Sequence, residues 1–408
     1  MGTYCSPTTR AQVRAQLVAT LWPADKFFIR ENLDQNIKAS FNVVGKAAPK
    51  MTANSEELLR LVGATYKSQK KISQYKNYIN TLTNRGLPVI FSFRHLADVL
   101  GVAPATLHTM SFRTDLYYKR FDIPKRSGGI RKISAPHETL AAIQRWILEN
   151  IISRAYQIIS PSVVGYVKNK SIKDHVTVHA QSKQLVKFDL KDFFPSISVE
   201  NVKHIFSEIG YSHSVSRTLA ALVTLEGGLP QGASTSPAIS NVFMQSFDNA
   251  MTTFCDEKCF LYTRYADDIV VSGESGVTES LFDLKAKFSE FGLTLNHGKT
   301  RVYADLQRVK FVTGLILCDG NVRLPKSMRR RIRVQCHLFL TQLERMTGLG
   351  PTEDNVSVPS SWRSRERVFD PTFPERVLGK LNYWLFIEPD NAYANRMKAS
   401  ILERLEAL

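Results

Sequence analysis

The segment Leu261–Gly273, LYTRYADDIVVSG, constrains this chain more than any other. Apolar and β-branched residues flank Ala266-Asp267-Asp268, so two short strands meeting at a tight turn are expected, with Asp supplying a residue tolerant of turn geometry. Such a tip holds two carboxylates side by side. They repel unless a cation or solvent neutralises them, and hard oxygen ligands suit a divalent metal. Alone, an Asp-Asp pair reads as a solvated acidic turn. This pair is not alone. In Leu185–Ile197, LVKFDLKDFFPSI, an apolar strand signal ends at Asp189 and is followed by Phe193, Phe194 and a strand-stopping Pro195. With Asp189 beside the Asp267-Asp268 turn, three acids could hold two Mg²⁺ ions at an in-line phosphoryl transfer.

Asp189 with the two phenylalanines, the Tyr265-Ala266-Asp267-Asp268 box, and Leu229-Pro230-Gln231-Gly232-Ala233-Ser234-Thr235-Ser236-Pro237 between them resemble the palm motifs of reverse transcriptases. They follow that family's order and spacing. Val312-Thr313-Gly314 is similar to a signature of the bacterial retron-type group, and the resemblance runs from about Gly86 to about Arg333. It implies an α+β, right-hand polymerase fold: fingers, a palm with an antiparallel sheet, and a helical thumb, preceded by an N-terminal helical extension. The corresponding boundaries are 1–85 for the extension, 86–180 for the fingers, 181–318 for the palm with fingers elements interleaved, and 319–408 for the thumb and C-terminal helical region.

The resemblance also implies an activity, an RNA-directed DNA polymerase copying a partner non-coding RNA into DNA by two-metal nucleotidyl transfer, as a retron in anti-phage defence. Asp189, Asp267 and Asp268 are then catalytic and bind two Mg²⁺ ions. Arg131 and Lys132, in the basic glycine turn that also contains Lys125 and Arg126, would meet the triphosphate of a deoxynucleotide. Phe194 would pack under the sugar and exclude a 2′-hydroxyl. Gln231 and Gly232 would let backbone approach the nucleotide and template base. Lys299 would stand near the leaving pyrophosphate. After Pro325, a helix with Met328, Ile332, Phe339 and Leu343 on one face and Lys326, Arg329, Arg330 and Arg333 on another could lie along an RNA/DNA duplex and contact phosphates. The family leaves room for an effector protein as a further partner.

One departure bears on the retron assignment. Where the group carries Asn-Ala-x-x-His, this chain reads His175-Val176-Thr177-Val178-His179. A defence-associated reverse transcriptase outside the retrons, making repetitive or protein-primed DNA, therefore stays open. A nucleic-acid-binding protein with a silent polymerase fold is the other alternative, and the complete set of acids argues against it. His179 itself reads as a satisfied core histidine.

The net charge of +17 over 408 residues calls for a polyanionic partner, nucleic acid or an anionic membrane surface. No apolar run reaches the roughly 20 residues of a membrane span and no signal pattern opens the chain, so no membrane partner and a cytoplasmic location are expected. The five cysteines are too scattered for a disulfide scaffold and read as buried free thiols. Helices are expected from Thr8 or Thr9 through Leu21, over Ser55–Leu82 as one long element, and over Phe93–Leu100, Pro104–Met110, Glu138–Tyr156, Asn241–Met251 and Leu281–Phe291. Tyr117–Ile133 reads as a hairpin, Val164–Ile172 as a short strand with a basic turn, Gly45–Ser55 as a connector and Gly348–Pro374 as a loop before a final helical region.

Overall fold

A computed structural model of the chain describes residues 55–125, 128–156, 160–305, 307–347 and 373–406. The helix expected before Pro23, most of the Gly45–Ser55 connector, Arg126, Cys5 and most of the Gly348–Pro374 loop lie outside the described residues. The chain divides into two compact units, Met1–Ile159 with Asp192–Gln245, and Ser160–Lys191 with Ser246–Leu408.

The first unit is mostly helical. Phe93–Leu100 starts where the Ser92 hydroxyl accepts a hydrogen bond from the His95 amide and stops at Gly101, whose φ of 66° suits a residue without a Cβ. Val199–Ile209 is opened by a reciprocal cap between Ser198 and Asn201 and closed by Gly210. Ile79, Leu82, Leu96, Leu107, Phe206 and Leu219 are buried in this unit. Among the described residues its sheet is a hairpin, β1 (Tyr118–Pro124) against β2 (Ile130–Pro136), in the expected place.

Two helical expectations need correction. Ser55–Leu82 is not continuous: Ser55–Thr65 and Gln69–Asn84 are separate helices, and Ser68 is extended between them. The Tyr66 ring stacks on Tyr75 of the second helix at 4.9 Å, a contact that needs the chain to turn back. Likewise Ser236–Phe243 and Gln245–Glu257 replace a single helix over Asn241–Met251.

The second unit is built on a four-stranded antiparallel sheet in the order β4-β5-β3-β6. Its strands are β3 (Gln184–Asp189), β4 (Leu261–Tyr265), β5 (Asp268–Gly273) and β6 (Arg301–Tyr303). A three-stranded meander follows, β7 (Val309–Val312), β8 (Leu315–Cys318) and β9 (Asn321–Arg323). Its first turn places Thr313 at φ 47° and Gly314 at φ 83°, the left-handed pair that tight hairpins use. Leu185 and Val270 from the sheet, Leu315 and Leu317 from the meander, and Ile332, Phe339 and Trp384 from helices Lys326–Thr347 and Phe373–Ile387 share one buried core.

The strand expected in Val164–Ile172 does not form. Tyr166 and Asn169 both sit at φ 62°, which no extended strand accommodates, and only Val163 bridges to Arg264. The final helical region begins already at Phe373, inside the expected loop. Cys255 and Cys336 are buried free thiols as expected, whereas Cys318 is half-buried and Cys259 exposed. Among the described residues no helix is long and apolar enough to cross a membrane.

Candidate active site

The site begins with a two-residue turn. Tyr265 pairs with Asp268 across β4 and β5, leaving Ala266 and Asp267 to reverse the chain. The left-handed position falls to Ala266, at φ 58°, and not to an aspartate. Asp268 is the first residue of β5, and β3 runs antiparallel beside it with Asp189 directly opposite Asp268. Residues opposed in this way lie about 5 Å apart at Cα and project to the same face. The third carboxylate is therefore delivered by register. Two backbone bonds hold it: the Leu190 amide donates to the Asp267 carbonyl at 3.1 Å, and the Asn296 amide donates to the Asp189 carbonyl at 2.7 Å.

Each flanking acid faces a lysine. Lys299 Nζ donates to both oxygens of the buried Asp189, at 2.9 and 3.0 Å. Lys187 Nζ lies 2.9 Å from Asp268 Oδ1. Among the described residues no lysine pairs with Asp267: burial first, then the carboxylates of Asp268 and Asp189, push its pKa up from 3.8 to about 6 against a smaller pull from Lys299. Burial works against the charge of Lys299, but hydrogen bonding and charge from Asp189, with Asp267 and Asp268 behind it, prevail and raise its pKa.

This donor set fits a divalent cation. Every ligand is a hard carboxylate oxygen, and Asp267, buried beside the carboxylates of Asp268 and Asp189, has its pKa raised. Among the described residues no three acidic, His or Cys side chains close into a metal cage, because Asp189 and Asp268 turn to their lysines. A cation would take the positions that Lys187 and Lys299 hold.

The other expected residues fall on several elements. Arg131 and Lys132 are consecutive on β2 and exposed, so they project to opposite faces. A Cβ built on Gly232, at φ 130°, would meet the Ser134 carbonyl oxygen at 2.7 Å and the Ile133 side chain at 3.0 Å, and the Ser134 amide donates to the Gln231 carbonyl at 2.8 Å. The glycine is thus required by the hairpin itself. Ile133 and Arg131 share a face, which puts Arg131 on the side of the Gln231-Gly232 loop. Phe193 is buried and Phe194 half-buried, separated by a short helical turn over Phe193–Ser196 and not by strand alternation. On helix Lys326–Thr347, Lys326, Arg330 and Arg333 are exposed, Arg329 is half-buried, and the Arg333 guanidinium covers the Tyr393 ring at 4.7 Å.

His179 is a satisfied core histidine. Its Nε2 bonds Thr263 Oγ1 and its Nδ1 bonds Ser272 Oγ, both at 2.6 Å, and Thr263 Oγ1 bonds His175 Nδ1 at 2.7 Å. Burial lowers both histidines' pKa values, that of His175 to about 3. Sequence reasoning missed Lys187. Its signal was present, since Lys187 and Asp189 are two apart on one strand and must share a face.

The family described as reverse transcriptase (RNA-dependent DNA polymerase) matches residues 123–317. Among curated proteins the chain is similar to the retron Ec86 reverse transcriptase of Escherichia coli, 30% identical over 64% of this chain and 82% of that one. The retron Ec73 reverse transcriptase of the same organism is 32% identical over 57% of this chain and 81% of its own length. The chain belongs to the retron-type reverse transcriptases. A third relative of this reverse transcriptase, the retron Mx65 enzyme of Myxococcus xanthus, is 34% identical over 63% of this chain and 65% of its own length. Membership makes the protein an RNA-directed DNA polymerase with the family's right-hand fold and its dependence on a divalent metal. The family match ends at residue 317, before helix Lys326–Thr347.

Proposed function

We propose that this reverse transcriptase copies a partner non-coding RNA into DNA as the polymerase of a retron acting in anti-phage defence, with two Mg²⁺ ions held by Asp189, Asp267 and Asp268. The observation that supports it is the register that sets Asp189 opposite Asp268, beside Asp267 in the turn. When bound, the ions stabilise the attacking and leaving oxygens of the primer hydroxyl and the deoxynucleoside triphosphate. Lys187 holds the Asp268 carboxylate in place until then, and Lys299, released from Asp189, offsets charge developing on pyrophosphate.

Arg131, on the face shared with the Gln231-Gly232 loop, is the better candidate of the two hairpin cations for the triphosphate, with Lys132 behind it. Gln231 and Gly232 line the nucleotide and template base, and Phe194 is the ring that excludes a ribonucleotide. Lys326, Arg329, Arg330 and Arg333 hold duplex phosphates without reading bases. In this reading residues 1–85 are an N-terminal helical extension, 86–180 the fingers, 181–318 the palm with fingers elements interleaved, and 319–408 the thumb and C-terminal helical region.

Replacing Asp267 and Asp268 together with asparagine should abolish cDNA synthesis and leave retention of RNA nearly unchanged; continued synthesis would reject the metal assignment. Sequencing the nucleic acid that copurifies tests the biological part. A branched RNA joined to a short unique cDNA supports a retron, and repetitive or protein-linked DNA supports the non-retron alternative that His175-Val176 left open.

A further inference from the structure

Arg264 is fully buried on β4, in the strand that leads into the acidic turn, and charge is costly there unless something requires it. Its guanidinium is anchored from below. Nε donates to Asp248 Oδ1 at 2.7 Å and Nη2 to Asp248 Oδ2 at 2.6 Å, a two-pronged pair to helix Gln245–Glu257. The Tyr262 hydroxyl, two residues back and so on the same face of β4, donates to Asp248 Oδ1 at 2.6 Å. The remaining prong points forward: Nη1 donates to the Ala266 carbonyl at 3.3 Å. Ala266 is the left-handed residue of the turn, and an L-residue stays at φ 58° only where its surroundings hold it.

The backbone of Arg264 is used as fully. Its amide donates to the Ser162 carbonyl, and its carbonyl accepts from the amides of Val164 and Gly165. Gly165 lies so close that a Cβ there would stand 2.5 Å from the Ala266 nitrogen. The turn is thus fastened at both carbonyls, Ala266 by Arg264 and Asp267 by the Leu190 amide.

We propose that Arg264 is a positioning residue for the polymerase reaction: anchored on Asp248 and Tyr262, it fixes the Ala266 carbonyl and thereby the direction in which Asp267 presents its carboxylate. The inference rests on the proposed role of Asp267 as a metal ligand. A residue with this role changes how well the acids bind a cation, whereas a residue that only stabilises the fold changes how much protein is folded.

The test therefore measures both. Arg264→Lys keeps the charge and loses the fork. The triple variant Asp248→Leu, Tyr262→Phe, Arg264→Met removes the buried polar group as a whole, a replacement that buried ion pairs often tolerate without loss of stability. Tyr262→Phe removes one hydrogen bond and no charge. Binding of MnCl₂ is followed by loss of the free-ion EPR signal, primer extension is measured per folded molecule, and thermal unfolding is recorded in EDTA.

We expect Mn²⁺ affinity to fall about tenfold in Arg264→Lys and in the triple variant and about twofold in Tyr262→Phe, kcat to fall at least tenfold in the first two, and KM for deoxynucleotide to change little. Parental Mn²⁺ affinity and kcat in any folded variant of the first two, whatever its melting temperature, overturns the proposal. A parent protein that binds Mn²⁺ but extends no primer counts against the polymerase reading instead, and the comparison of Mn²⁺ affinities still decides the role of Arg264.

Discussion

Replacing Asp267 with asparagine is expected to stabilise the metal-free protein. Burial and the neighbouring carboxylates of Asp268 and Asp189 raise the Asp267 pKa from 3.8 to about 6, so at neutral pH the folded state carries a charge that the unfolded chain holds more cheaply. Two pK units correspond to about 3 kcal/mol at 1.36 kcal/mol each, and partial access of solvent to the turn brings the working figure to about 2 kcal/mol. The sign follows from proton linkage. Between pH 4 and 6 the folded state binds more protons than the unfolded, so stability falls as pH rises, and the whole penalty is present above pH 6. Asparagine carries no such penalty. For a domain of this size about 2 kcal/mol is worth roughly 4–8 °C in Tm. In EDTA at pH 7.5, Asp267→Asn should melt that much above the parent, and at pH 4 the two should coincide. Mg²⁺ should raise the parent and not the variant, closing the gap. A variant no more stable than the parent at pH 7.5 in EDTA would refute the reasoning, because burial and the neighbouring acids would then not be penalising the Asp267 charge.

Three further outcomes are expected. Gly165→Ala sets a methyl against the backbone nitrogen of Ala266 at 2.5 Å, where no flexible side chain can give way; displacement of the turn by a fraction of an ångström should reduce kcat in primer extension by roughly tenfold or more, with KM for deoxynucleotide little changed. Gly232→Ala meets the Ser134 carbonyl at 2.7 Å in a backbone conformation strained for alanine, and thermal unfolding should show a loss of about 2–3 kcal/mol. His179→Ala removes a buried ring bonded to both Thr263 and Ser272, which should cost about 2–4 kcal/mol in thermal unfolding, while pull-down of RNA per folded molecule stays at the parental level because the ring is buried.

The acidic hairpin was legible because its signals are local: apolar and β-branched residues flank a turn on both sides, and strand length follows from where they stop. What failed depended on contacts distant in sequence. The stacking of Tyr66 on Tyr75 breaks a helix whose apolar spacing runs on without a fault. The close approach of Gly165 to Ala266 shapes the 164–172 segment, and neither propensity nor periodicity carries that information. The aspartates led the reading to expect an aspartate at the left-handed position, yet the side chain there is a methyl group, held by a guanidinium that the sequence shows only as one more basic residue in a strand.

The lysines show how far the same reasoning could have gone. Once β3 and β5 are taken as antiparallel with Asp189 opposite Asp268, period-two alternation alone places Lys187 on the face of the acids and within reach of Asp268 across the strand. Lys299 follows from no such rule, because it reaches Asp189 from beyond helix Leu281–Glu290 and its placement depends on the Asn296 amide closing on the Asp189 carbonyl. The two cations therefore differ in how they are held: the Lys187 side chain rises from a strand of the sheet and is 17% exposed, while the Lys299 side chain is 57% exposed and leaves its acid more readily. Displacement by a metal should for that reason begin at Asp189, which leaves Lys299, the lysine that the strand register does not hold, available for the pyrophosphate-facing role proposed for it.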